Sequence, residues 1–342
     1  MPVTDPSQSS SPDPRRARAS WWLRLTVAVV VLACLAFAGR TYFGELGRLT
    51  HISPHMLAAI IAAFLAARLL NGQAMRFALA RLGYRIGLFE SFMLVILMNY
   101  SNLLIPRVGL GTSAVYLKTK HGVSYTKFAT LLLPLGLLGM TAAGVVGLLC
   151  QAALWLGRGE PWDGWVAVIF AVAAVLGFAA LFLRLPVPTW WPRRIRQWAA
   201  AANESWRELG GRASFVRTML ALHLAIFVLR AARIYLVFAA LDVEVNILGL
   251  LIASVLADLM MLVSVTPAGL GFREGAIVYS ARILGTGVTE SLALSAAILD
   301  RAVWTIGVIV IAQFGLWRMI RPARNGGGED VTPGGAPDTA RR

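Results

Sequence analysis

Val265-Thr266-Pro267-Ala268-Gly269-Leu270-Gly271-Phe272-Arg273-Glu274-Gly275 interrupts hydrophobic sequence: Leu259 to Val265 is apolar apart from Ser264, and Ala276-Ile277-Val278-Tyr279 follows. Pro267 removes an amide donor, and Gly269 and Gly271 free the backbone, so a helix is expected to stop here. Broken backbone at membrane depth is tolerated only where protein or a watery cavity satisfies it. Arg273 and Glu274 then place two charges just beyond the break, where charge is costly and marks function by default.

A weaker copy lies earlier, in Leu104-Ile105-Pro106-Arg107-Val108-Gly109-Leu110-Gly111-Thr112. Both copies carry a proline, then Gly-Leu-Gly, then a short apolar segment. Each meets a similar restart, Gly122-Val123-Ser124 in the first half and Gly287-Val288-Thr289 in the second. Paired, Gly/Pro-interrupted apolar segments in the two halves of a chain point to a transporter's binding site. The expected hairpin breaks are Pro106, Gly109 and Gly111, then Pro267, Gly269 and Gly271.

Composition sets the class. Of 342 residues, 58% are hydrophobic and only 14% charged, with a mean hydropathy of +0.68, where soluble domains carry roughly 25% charge. That is a polytopic membrane protein with about seven to nine apolar segments. The net charge of +15 fits anionic lipid and the positive-inside bias rather than nucleic acid. Cys34, Cys150 and the four histidines show no metal-ligand spacing. No nucleophile elbow or Walker-type phosphate loop is present, so neither metal nor cofactor is expected.

Along the chain, residues 1–20 read as a disordered tail. The apolar run Leu25 to Ala38 is an uncleaved first span, with a signal peptide as the rival reading. Span two starts near Met56 and holds Arg68. The limb from Leu88 to Ile105 meets the Pro106 break, and a return limb of about ten residues, half a crossing, follows. Span four covers Phe128 to Leu156 and span five Trp165 to Leu183. Residues 184–217, rich in Arg and Trp, form a helix on the membrane surface. Span six, Met219 to Ala240, holds Arg230 and Arg233. The second hairpin runs from Ile247 to Leu284, the last span from Leu292 to Trp317, and residues 321–342 form a disordered tail.

Basic residues gather at 76–85, 118–127, 184–217 and 318–324, which places both termini in the cytoplasm. The expected fold is all-α integral membrane: six full spans plus two re-entrant helical hairpins in an inverted repeat, within a membrane domain at 21–320. Repeat one covers about 22–157 and repeat two about 162–318. Charge bias alone does not separate a re-entrant hairpin from two crossings; limb length makes that choice.

These motifs resemble the membrane domain of the lysylphosphatidylglycerol synthetases and the stand-alone flippase-like proteins akin to it. The matching residues are Asn102 to Gly109, Tyr116-Leu117-Lys118, Gly122-Val123-Ser124, Pro267 to Gly275, Gly287-Val288 and Asp300-Arg301, across roughly 20–320. The resemblance implies a bacterial inner-membrane protein that moves lipids with modified headgroups between leaflets. In the two-domain members a soluble aminoacyl-transfer domain follows. Here only the tail follows the last span, so synthetase activity is expected to be absent, and polyprenyl- or glycolipid-type substrates come into view.

The candidate headgroup ligands are Arg107, Arg230, Arg233, Arg273, Glu274 and Arg301, with Asp258 and Asp300 as charge partners. A guanidinium binds phosphate bidentately, and a restarted helix offers free amides and a positive dipole end. Neighbouring residues on a helix point apart, so Arg273 and Glu274 are expected to find separate partners. Each of these charges also has a plainer reading, as a buried ion pair that only holds helices together. Asn99, Tyr100 and Asn102 either line the first hairpin or bond between helices. Gly136, Gly139, Gly144 and Gly147 read as a close-packing face. The expected partners are membrane lipids, an anionic phospholipid or a polyprenyl glycolipid, with lipid-biosynthetic enzymes as further candidates. The function expected is a lipid flippase; an intramembrane lipid-modifying enzyme and a non-transporting partner subunit are the alternatives.

Overall fold

A computed structural model describes residues 52–105, 108–159, 163–182, 188–193, 196–197, 200, 203, 213–263, 266, 269–285 and 287–320. The expected first span, the two tails, Pro106, Arg107, Pro267 and most of the expected surface helix at 184–217 lie outside them. Among the described residues every regular element is helical: α1 (Pro54–Arg81), α2 (Leu88–Leu104), α3 (Val108–His121), α4 (Tyr125–Arg158), α5 (Gly164–Phe182), α6 (Ala213–Ala239), α7 (Ile247–Val263), α8 (Phe272–Tyr279), α9 (Ala281–Leu284) and α10 (Glu290–Ile320).

Local chemistry sets the helix ends. Ser53 caps α1 by accepting from the Met56 amide at 3.3 Å, with Pro54 in the first turn. Ser124 caps α4 in the same way through the Lys127 amide at 3.2 Å, and α4 stops at Gly159, whose φ of +66° is left-handed. Four helices, α1, α4, α6 and α10, are long and apolar enough to cross a bilayer; α2, α5 and α7 are shorter apolar helices. At 34 residues α4 exceeds the roughly 30 Å of hydrocarbon by several turns.

The long helices carry little apolar asymmetry, as expected when one side faces protein and the other faces lipid. Lipid-facing residues such as Leu149, Val175, Ile306 and Val310 are exposed, whereas Phe170, Phe238, Leu250 and Val308 are buried. The main core joins α4, α5, α6, α7 and α10, and a second one under the first hairpin holds Leu79, Leu94, Leu117, Phe128 and Phe215. A small aromatic floor of Phe64, Trp304 and Val308 lies between them, covered by Tyr100 and Leu103 of α2.

Several packing contacts of the two halves correspond. The helices α1 and α6 pack on each other. The contact of α1 with α2 has its counterpart in α6 with α7, that of α2 with α3 in α7 with α8, and that of α3 with α4 in α8 with α10. Across the halves, α4 meets α7 as α10 meets α2.

The hairpins differ in detail from the sequence expectation. The return limb of the first is α3, 14 residues long, rather than about ten. Gly109 and Gly111 sit within that helix and not in its break. Gly109 serves close approach: a Cβ there would press on the Met98 carbonyl of α2, while nothing lies near one on Gly111. The Gly109 amide donates to Asn102 Oδ1 at 2.8 Å, so Asn102 closes the hairpin from its first limb. In the second hairpin Gly269 and Gly271 do turn the chain, with φ of +72° and +85°. Gly249 makes the equivalent close approach there, against the Ile283 carbonyl.

Candidate functional site

The restart of α8 at Gly271 puts Arg273 and Glu274 in one helical turn, and each has its own partner on α10. Arg273 Nη2 is 2.6 Å from Asp300 Oδ2, and Arg301 Nη1 is 3.4 Å from Glu274 Oε1. The second carboxylate oxygen of Glu274 accepts the Gly271 amide at 2.8 Å, so the same side chain caps the restarted helix.

Asp300, fully buried, also pairs with Arg233 of α6, whose Nη2 donates to the same Oδ2 at 3.0 Å while its Nε lies 2.7 Å from Oδ1 without hydrogen-bond geometry. One carboxylate thereby gathers α6, α8 and α10. One turn earlier on α6, Arg230 pairs with Asp258 of α7. Sequence reasoning places these residues on span six, the second hairpin and the last span, with Asp258 and Asp300 as charge partners of the span-six arginines; the fold brings Arg230, Arg233, Asp258, Arg273, Glu274, Asp300 and Arg301 into one region. Arg107 lies outside the described residues.

Arg68, half-way along α1, belongs to the same region and was passed over as a site residue. It is 8% exposed, and its Nε has no hydrogen-bond partner among the described residues. Its guanidinium stands over the faces of Phe64 and Trp304, 5.7 and 5.8 Å from their centroids. Arg233 shares the Phe64 ring at 5.9 Å and Arg301 the Trp304 ring at 5.1 Å. Such contacts favour a cation but do not neutralise it. The signal was in the sequence: 54–81 holds Arg68 deep in apolar residues and no acid at all.

The chain's polar residues on the first hairpin bond within the protein. Asn99 donates to the Val95 carbonyl at 2.6 Å, and Tyr100 accepts from Gln313 of α10 at 2.9 Å. At the other end of that hairpin, Glu90 receives Tyr116 at 2.7 Å and both Lys120 and His121 at 2.8 Å, tying α2 to α3.

A cavity of about 200 Å³ adjoins the charges. Asn71, His223, Arg230 and Asp258 supply its polar end, and Leu135, Met140, Leu259 and Leu262 are among its apolar walls. Leu262 is also 52% exposed, so the cavity opens to the surface of the molecule. Gly136 and Gly139 of α4 line it as well. Of the four glycines read as a packing face, Gly144 and Gly147 do abut α5, at Ala174 and Phe170; Gly136 leaves open space. No group of three or more potential metal-ligating side chains occurs among the described residues.

A family model described as the lysylphosphatidylglycerol synthase TM region matches residues 21–312. The chain belongs to that family. Comparison with curated proteins and with solved structures gave no match. Membership and the four long apolar helices together identify a multi-pass membrane protein with a membrane-lipid-related function. The family match spans both hairpins and every charged residue of this region, from Arg68 to Arg301.

Proposed function

We propose that this family member is a lipid flippase of the bacterial inner membrane, holding an anionic headgroup against the buried arginines between its two hairpins while the tail stays in the bilayer. The observation that carries the reading is the charge balance. Among the described residues of this region, Arg68, Arg230, Arg233, Arg273 and Arg301 stand beside three acids, Asp258, Glu274 and Asp300. Burying an excess of cations costs free energy unless an anion joins them. The adjoining cavity has a polar end and apolar walls, the division a lipid requires.

The equivalent packing of the two halves supports an inverted repeat, with α1 to α4 and α5 to α10 as its units and the two broken segments as re-entrant hairpins. A substrate between them is reached from either side by rocking one unit against the other. Both termini then lie in the cytoplasm. Paired with acids as they are, Arg233 and Arg273 hold the frame, and Arg230, which lines the cavity, presents charge to the headgroup.

The test is translocation of short-chain fluorescent lipids, anionic and zwitterionic, in proteoliposomes. The reading expects anionic lipid to equilibrate between leaflets faster than in protein-free vesicles, and Arg230→Gln to slow it. No transport of any lipid class would favour the partner-subunit alternative, and recovery of a chemically altered lipid would favour the enzyme.

A further inference from the structure

From its placement, we propose that Arg68 is an anion ligand, and that the site selects headgroups ending in a doubly charged phosphoryl group, a phosphate monoester or a diphosphate, over phosphodiesters. This deepens the flippase reading and rests on it.

Three observations converge. Among the described residues, five guanidinium groups meet three carboxylates, two positive charges more than are neutralised. A phosphodiester brings one negative charge; a phosphate monoester brings close to two above its second ionisation at about pH 6. The unpaired member is also identifiable. Each of the other four arginines has a carboxylate within ion-pair reach, whereas Arg68 has two aromatic faces and, among the described residues, no carboxylate paired with it. Those faces hold its plane in place; its Nε, like those of Arg230 and Arg233, has no hydrogen-bond partner among the described residues, and that edge is one a forked phosphate contact uses.

The third observation is access. Asn71, one turn from Arg68 on the same face of α1, lines the cavity along with Arg230. At about 200 Å³, the space equals roughly six or seven waters, enough for a phosphoryl group and the start of its chain. Leu135, Met140 and Leu262 then meet the chain, and Leu262 marks the way out to lipid.

The experiment uses the full-length purified protein in detergent, titrated with short-chain phosphatidic acid, phosphatidylglycerol and phosphatidylcholine at pH 8 and pH 5. At pH 8 phosphatidic acid is expected to bind about tenfold or more tighter than phosphatidylglycerol, the ratio one extra charge-assisted contact gives. At pH 5 that advantage should vanish. The Arg68→Gln variant is expected to lose the advantage at pH 8 while still binding phosphatidylglycerol. Its lipid-free melting temperature should equal or exceed that of the parent, because an uncompensated buried charge has been removed. Equal affinity for the two anionic lipids, or an Arg68→Gln variant that keeps the preference, overturns this inference and leaves the flippase reading standing. A lower melting temperature for lipid-free Arg68→Gln would likewise overturn it, by making Arg68 structural. Failure of both anionic lipids to outcompete phosphatidylcholine overturns the underlying reading instead.

Discussion

Asp300 Oδ2 lies 2.6 Å from Arg273 Nη2, which fastens the helix that restarts after Gly271 to the middle of the last long helix. Because Arg233 pairs with the same carboxylate, donating from Nη2 to Oδ2 at 3.0 Å, Asp300→Asn leaves two buried guanidinium groups without a counterion. A loss of about 3–5 kcal/mol is expected, read as a lowered melting temperature in detergent. The Asp258→Asn change should cost less, since Arg230 and Asp258 are both partly exposed.

The first hairpin depends on a missing side chain. A methyl group at Gly109 would meet the Met98 carbonyl and the Asn102 side chain, whereas Gly111 has open space. Gly109→Ala is therefore expected to destabilise by about 1–3 kcal/mol and Gly111→Ala to be close to neutral. Thermal unfolding of the two variants side by side checks this, and equal melting temperatures would remove the close-approach role.

Gly136 gives a way to block the cavity without disturbing the fold. Nothing lies near the position its Cβ would take, and it lines the cavity. Gly136→Leu should retain the parent's melting temperature yet lose lipid binding and translocation. A variant that transports normally would show that lipid does not pass through this space.

Glu90 is the knot at the base of the first hairpin, with Tyr116, Lys120 and His121 all on it. Glu90→Gln removes the charge-assisted bonds and should cost about 1–2 kcal/mol. Hydrogen exchange is expected to quicken at the start of α2 and the end of α3 while α7 and α8 stay unchanged.

Much of this architecture was legible in the sequence because a membrane leaves few options. Apolar runs of Met56 to Leu70 or Leu292 to Trp317 are helices, since nothing else satisfies the backbone in lipid. Pro267 and the following glycines announced the second break for the same reason, and the structure turns the chain at Gly269 and Gly271. Gly109 misled, because a glycine wanted for close packing and one wanted for a turn look identical in one dimension. The site was partly visible: charges inside spans were noticed one by one, but their convergence on Asp300 depends on how α6, α8 and α10 pack. Arg68 was missed for a related reason. A lone arginine in an apolar run says little in one dimension, and its meaning comes from the helices that surround it in space.

Glu274 holds two posts at once, with one oxygen on the Gly271 amide and the other toward Arg301. A change that takes away the partner of either oxygen is therefore felt on two helices at once, because the opening turn of α8 and the guanidinium on α10 lean on a single side chain.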